Sequence, residues 1–301
     1  MIKLNINDRT IEAEQGNTVL EAALGAGIYI PNLCYHPDLP PIGACRLCIV
    51  EIEGMKGFPT SCTIQVKEGM VVHTDTTGLR ELRKNVVGLI LSEHPKEPER
   101  SSQLGKVVEY VGIKEVFPGD APHTRGLPVI SDEPLFIRDL DRCILCGRCT
   151  RMCQEVREIG TIGFTGRGIK AIVGTGYNVS MKDAACKFCL ACVEVCPSGA
   201  LTDKEKFKEE DREKVLLPCT NTCPAEIEVS RYVGLIAEGR FQDALEVIRE
   251  KVPFPLVLGY VCDHPCEEAC RRREVNEPIA IRMLKRFVAE QDSGRWRSKI
   301  K

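Results

Sequence analysis

Two cysteine runs in the middle of this 301-residue chain constrain it most. The first reads Cys143-x2-Cys146-x2-Cys149-x3-Cys153, the second Cys186-x2-Cys189-x2-Cys192-x3-Cys196-Pro197. Three thiolates at that spacing sit on one tight loop and grip three irons of a [4Fe–4S] cube. The fourth, three residues on, starts a helix that points away and reaches the other cluster. The spacing therefore assigns Cys143, Cys146, Cys149 and Cys196 to one [4Fe–4S] cluster. Cys153, Cys186, Cys189 and Cys192 go to a second. Structural zinc is the competing reading, but zinc takes four ligands, commonly as two separated pairs. Two complete runs favour iron–sulfur.

The chain holds 17 cysteines, an odd number, gathered in metal-like runs rather than spread pairs. That pattern speaks against a disulfide scaffold and for a reducing, cytoplasmic setting. Acidic and basic residues nearly balance, at 43 and 41, so no nucleic-acid partner is implied. The first residues, Met1 to Ile6, alternate like a strand and lack an apolar signal core. The longest apolar runs, such as Pro253 to Val261, are too short to span a bilayer. No direct membrane contact is expected.

Residues 1–77 form the first expected domain. Ile2, Leu4 and Ile6, the Asn7-Asp8 turn and Thr10 to Ala13 predict a β-hairpin. Thr18 with Glu21 forms a capping box for a helix through Ala26. Ile49 to Ile52 and Val71 to His73 read as strands. Cys34, Cys45, Cys48 and Cys62 follow one another with 10, 2 and 13 residues between them. Four cysteines with a C-x2-C core, a hairpin and a helix suit a [2Fe–2S] cluster in a β-grasp domain. A Rieske site would need a second His near Cys45 and Cys48, and none is there. The long first gap resembles the N-terminal domain of the large iron–sulfur subunit of respiratory complex I, of NAD-linked hydrogenases and of formate dehydrogenases.

Residues 78–130 read as a helical linker. Leu79, Leu82, Val86, Leu89 and Ile90 follow a helical period that ends near His94-Pro95, and Gln103 to Val111 predicts a second helix. Phe117 to Pro128, rich in Pro and Gly, reads as an exposed connection. In the complex I and hydrogenase relatives the first helix leads to a His-x3-Cys-x2-Cys-x5-Cys cluster site. Here His94 stands, but Pro98, Ser101 and Val107 occupy the cysteine positions. The site is degenerate and its cluster is expected to be absent.

Residues 131–210 are expected to be a bacterial-type 2[4Fe-4S] ferredoxin domain around the two runs. The insert from Gln154 to Asp183, with its Gly166-x-Gly168 and Gly174-x-Gly176 pairs, predicts β-turns rather than a dinucleotide loop. Lys204 to Lys214 reads as a solvated charged linker.

Residues 211–301 read as all-α. Arg231 to Glu238, Phe241 to Arg249 and Ile279 to Glu290 have helical apolar spacing. If they lie on a helix, the i, i+4 spacing would put Cys266 and Cys270 on one face, and Cys219 and Cys223 likewise. The pattern CTNTCP … PFPLVLGYVCDHPCEEAC … EPIAIRMLKRF closely resembles the N-terminal helical iron–sulfur domain of glutamate synthase small subunits. Dihydropyrimidine dehydrogenase and the large subunit of ferredoxin:NADP transhydrogenase share it. The resemblance implies a [4Fe–4S] cluster on Cys223, Cys262 and Cys266, with the fourth ligand open between Cys219 and Cys270. A second cluster would need an upstream cysteine pair, where this chain has Val215 to Pro218. Zinc or a purely structural role is the alternative for these five cysteines.

The expected architecture is an α+β multidomain chain. It runs from a β-grasp [2Fe-2S] ferredoxin domain through a helical linker and a 2[4Fe-4S] ferredoxin domain to a C-terminal all-α iron–sulfur domain. No catalytic triad, P-loop or flavin fingerprint occurs, so neither a substrate site nor a flavin is expected on this chain. The resemblances imply electron transfer within an NAD(P)-linked oxidoreductase of the bifurcating transhydrogenase, hydrogenase or formate dehydrogenase type. The partners implied are an FMN/NADH-binding flavoprotein at the first domain and an FAD/NAD(P)H-binding flavoprotein or other catalytic redox subunit at the far end. A free-standing polyferredoxin that shuttles electrons by diffusion is the alternative.

Overall fold

The computed structural model describes residues 1–95, 97–113, 125–205 and 218–295. They divide into two compact units. The first comprises residues 1–129, 139–148 and 197–200; the second is built on residues 130–138, 149–196 and those from 201 onward.

In the first unit, β1 (Ile2–Ile6) and β2 (Arg9–Ala13) form the predicted hairpin. Alternation turns Leu4, Ile6, Ile11 and Ala13 inward. Asn7 and Asp8 at its tip both take left-handed backbone, which these two residue types tolerate in a tight hairpin turn. Helix α1 (Val19–Gly25) starts at the capping box: the Glu21 N–H donates to Thr18 Oγ1, and the Thr18 N–H donates to the Glu21 carboxylate. With β3 (Glu51–Ile52) and β4 (Val71–His73) the sheet order is β2-β1-β4-β3, with β1 and β4 parallel. The strand expected from Ile49 is shorter than predicted: Ile49 makes only an isolated bridge to Thr60.

Helices α2 (Thr77–Ser92) and α3 (Gln103–Val111) are capped by Thr76 and Ser102. The buried stripe of α2 is not the one its hydrophobic residues suggest. Leu79, Arg83, Val87 and Leu91 are buried, whereas Leu89 is 63% exposed. The helix is rotated because it packs on Leu33, Leu47, Leu104 and Val107, and so faces the first cysteine loop.

In the second unit, β5 (Phe136–Asp139) pairs antiparallel with a strand at Leu201–Asp203. A buried ion pair, Arg138 to Glu133 at 2.9 Å, braces β5. The insert between the cysteine runs is a hairpin of β6 (Ile162–Thr165) and β7 (Ile172–Thr175). Its turn needs Gly166, which takes positive φ and lies against the Lys170 carbonyl where a β-carbon would collide. The strand at Leu201–Asp203 is β8. Helix α4 (Ala191–Glu194) carries Cys192.

Four further helices, α5 (Val229–Ala237), α6 (Phe241–Arg249), α7 (Pro255–Val261) and α8 (Ile281–Glu290), share one core of Tyr232, Leu235, Leu245, Ile248 and Val288. Gly234 lets α5 approach the Arg157 backbone, where a β-carbon would stand 2.7 Å from the carbonyl oxygen. The common helical faces expected for the cysteine pairs do not form. One helical turn, Pro218–Asn221, ends before Cys223, and another, Pro265–Glu268, ends before Cys270. Most of the predicted charged linker, residues 206–214, and most of the Pro/Gly connection, residues 117–124, lie outside the described residues. Among the described residues no helix is long and apolar enough to cross a membrane.

Candidate metal centres

In the first unit Cys34, Cys45, Cys48 and Cys62 stand within electrostatic reach of one another. Cys34, Cys48 and Cys62 are buried and Cys45 half-buried. Backbone N–H groups surround the sulfurs: Leu33 N–H donates to Cys45 Sγ and Cys45 N–H to Cys34 Sγ, both at 3.4 Å. The loop that does this needs Gly43 at φ 63°, where a β-carbon would press on Thr60, and Arg46 at φ 56°.

The thiols pair off. The hydrogen bond from the Cys34 thiol lowers Cys45 to about 6 against the opposing effect of burial, helped by the Leu47 and Leu33 N–H groups. Cys34 rises correspondingly. Cys48 is lowered by its hydrogen bond with Cys62, and Cys62 is raised by the same bond and by burial. Four soft donors, two of them with lowered pKa and supplied with N–H groups, match the chemistry of a [2Fe–2S] core. Among the described residues no three His, Cys, Asp or Glu side chains converge tightly enough to chelate a single ion.

Sequence reasoning overlooked Arg83. It is 1% exposed, and its guanidinium donates to the carbonyls of Leu47 (3.1 Å), Thr74 (2.8 Å) and Ile49 (2.7 Å). Leu47 and Ile49 flank Cys48, so one side chain of α2 fixes the loop on both sides of a candidate ligand. The signal that could have found it was its register: Arg83 lies four residues from both Leu79 and Val87.

In the second unit Cys153, Cys186, Cys189 and Cys192 line one largely apolar cavity with Phe136 and Met181. Cys153 thus joins the second run, not its own. Burial, then repulsion from Cys189, raises Cys192 well above the ordinary thiol range; burial pushes Cys186 up to about 12. Buried thiols that resist ionising are released from that penalty by a cationic iron core. Phe188 and Leu190 alternate with the cysteines in left-handed backbone, as do Leu145 and Gly147 in the first run. Such alternation turns successive N–H groups toward one concavity; the Phe188 N–H donates to Cys186 Sγ at 3.4 Å. Cys143 and Cys146 belong to the first unit and Cys149 and Cys196 to the second.

Of the five C-terminal cysteines, Cys266 is pushed up to about 12 by burial and then by Cys223, Cys262, Glu267 and Cys219. Cys219 is raised to about 11 by burial, Cys189 and Cys270. Cys223, Cys262 and Cys219 all act on Cys266, while Cys219 and Cys270 line one cavity with Cys189. The His264 backbone N–H donates to Cys262 Sγ, and its ring Nδ1 faces the Glu267 carboxylate at 3.4 Å. His94 is buried just beyond α2 and shares a cavity with Arg125, Asp141 and Cys143.

Comparison with known proteins follows the same division. Residues 1–77 match a family of 2Fe-2S iron-sulfur cluster binding domains. Residues 133–202 match the ferredoxin-like domain of NADH-quinone oxidoreductase subunit 3. Residues 211–295 match the 4Fe-4S domain II of dihydropyrimidine dehydrogenase. A G-type subunit of the NADH-quinone oxidoreductase of Rhizobium meliloti is 37% identical over 206 residues, 67% of this chain and 24% of that protein. NADP-reducing hydrogenase subunit HndD of Solidesulfovibrio fructosivorans is 34% identical over 69% of this chain and 37% of its own length. The alpha subunit of the NADPH-Fe(3+) oxidoreductase of Geobacter sulfurreducens is 32% identical over 74% of this chain and 26% of its own length. A solved chain of an NAD+-reducing [NiFe]-hydrogenase superposes with a TM-score of 0.61 at 28% identity, covering 69% of this chain and 89% of that one. The chain thus spans between a quarter and rather more than a third of the curated relatives it matches.

Proposed function

Over two thirds of its length this chain belongs to the family of the G-type NADH-quinone oxidoreductase subunits and the NAD(P)-linked hydrogenase subunits, and from that premise we propose that it is the electron-carrying iron–sulfur part of a multi-subunit NAD(P)-linked oxidoreductase. Cys34, Cys45, Cys48 and Cys62 hold a [2Fe–2S] cluster in a β-grasp domain. Cys153, Cys186, Cys189 and Cys192 hold a [4Fe–4S] cluster, and Cys223, Cys262 and Cys266, with Cys219 or Cys270 as the fourth ligand, hold another. Cys143, Cys146, Cys149 and Cys196 hold a further one, proposed on spacing alone. The clusters supply one-electron redox chemistry, while the protein supplies thiolates, N–H groups and burial. A row of one-electron carriers joins two-electron sites that are too far apart to react directly. The donor end takes an FMN/NADH-binding flavoprotein, and the other end a flavoprotein or catalytic redox subunit.

The observation that carries this reading is the crossing of the two cysteine runs. Cys153 lines the cavity of Cys186, Cys189 and Cys192, as interleaved [4Fe–4S] ligation requires. Anaerobic purification with iron and sulfide analysis tests it. The set of clusters predicts about fourteen irons per chain; about ten would remove the helical cluster, and about eighteen would restore one at His94. Native complexes should contain an NADH-oxidising FMN subunit, and its absence would defeat the assignment to an NAD-linked complex.

A further inference from the structure

We propose that Arg272, a residue of the helical region, sets the reduction potential of the cluster held by Cys153, Cys186, Cys189 and Cys192. The inference rests on the ligand set proposed above. Arg272 lies in a short turn, Arg271–Glu274, directly after Cys270. Its guanidinium donates to the carbonyl of Cys186 at 3.1 Å, and its Nε to Asn276 Oδ1 at 3.1 Å. A cation from a segment remote in sequence is thus anchored on the main chain of a cluster ligand.

The surrounding charges show why this one matters. Arg271 is neutralised by Asp203, Glu205 and Glu274. Glu133, the carboxylate that faces Cys186, is paired with Arg138 in a buried contact. Arg272 forms no ion pair among the described residues, and Lys187, from the cysteine loop itself, is likewise without one. The buried Arg271–Asp203 contact and the Arg157–Glu228 contact already hold the helical region against the ferredoxin-type part of this unit. Among the described residues the charge of Arg272 is thus committed to the Cys186 carbonyl and Asn276 and to no carboxylate.

Reduction adds one negative charge to an iron–sulfur core, and a fixed cation nearby favours the reduced form. Half-burial keeps salt from screening it fully. Because a guanidinium stays protonated, the effect persists across the working pH range. Arg272 is a positioning and tuning residue, acting through the Cys186 main chain without ligating iron.

The test is an anaerobic redox titration followed by electron paramagnetic resonance on the full chain, comparing wild type, R272Q and R272K. The signal is assigned by its loss in C186S. R272Q removes the charge and is expected to lower that potential by the equivalent of about tenfold in the reduction equilibrium, ~59 mV for one electron. The other [4Fe–4S] signals should stay in place. R272K keeps the charge and should stay near wild type; this arm remains decisive if the glutamine variant loses iron. An unmoved potential in R272Q overturns the proposal. So does an equal shift of every cluster, or an R272K shift as large as that of R272Q. Absence of the Cys186-dependent signal from wild type would overturn the ligand set along with it.

Discussion

Replacing Arg83 by Met is the sharpest test of how the first cysteine loop is held. The guanidinium is 1% exposed and reaches three carbonyls at 2.7 to 3.1 Å, two of them on either side of Cys48. A hydrogen bond to a charged group is worth about 1.5–3 kcal/mol net, and a buried acceptor deprived of its donor costs about 1–3 kcal/mol. Against this, a buried cation carries a desolvation penalty of several kcal/mol, which methionine removes; burial indeed lowers the Arg83 pKa. The net expected loss is about 2–4 kcal/mol. Urea titration of the whole chain, followed by the visible circular dichroism of the [2Fe–2S] chromophore, reads it out. At an m-value of about 1 kcal/mol/M, the midpoint should fall by about 2 M or more. Arg83→Lys should lose roughly half as much, because one ammonium cannot span the fork that reaches Leu47, Ile49 and Thr74 together. A midpoint within about 0.5 M of wild type for the Met variant would refute the argument that Arg83 holds the loop.

Three further outcomes are expected. Cys45→Ser should abolish the [2Fe–2S] signal and remove about two irons, with the [4Fe–4S] signals retained; simultaneous loss of all signals would contradict independent sites. Gly43→Ala places a β-carbon 2.9 Å from Thr60 Oγ1 at φ +63°. The strain, about 1–2 kcal/mol, should speed chelator-driven loss of that cluster by roughly tenfold, and an unchanged rate would count against the tight loop. Gly234→Ala drives a β-carbon to 2.7 Å from the Arg157 carbonyl oxygen. It should destabilise the helical core by about 1–3 kcal/mol in thermal unfolding followed at 222 nm, and an unaltered transition would mean that α5 does not press on that backbone.

Much of the local structure was legible in the chain. The Thr18/Glu21 box, the hairpin at Asn7-Asp8 and the span Gln103–Val111 depend on contacts a few residues apart, which is where sequence patterns carry information. Helix α2 shows the limit. Its hydrophobic residues suggest one stripe, yet Arg83 is buried and Leu89 exposed, because the carbonyls that receive Arg83 come from 34 to 36 residues away and from Thr74. The C-terminal cysteines fail for the same reason. Their i, i+4 spacing suggests shared helical faces, but the helical turns at Pro218–Asn221 and Pro265–Glu268 stop short.

By itself the sequence determined the type and number of donor groups, and hence the soft-metal chemistry open to the chain. Thiolates at x2-x2-x3 spacing on tight loops suit iron–sulfur cores whatever surrounds them. Only the tertiary structure decided what surrounds those thiols and which charges they meet. It set Cys219 and Cys270 in one cavity with Cys189, placed Arg83 on the carbonyls on both sides of Cys48, and laid Arg272 on the Cys186 carbonyl. The physical reason is distance. Ligand spacing is a property of neighbouring residues, whereas burial and electrostatics depend on groups tens of residues apart that only packing brings together.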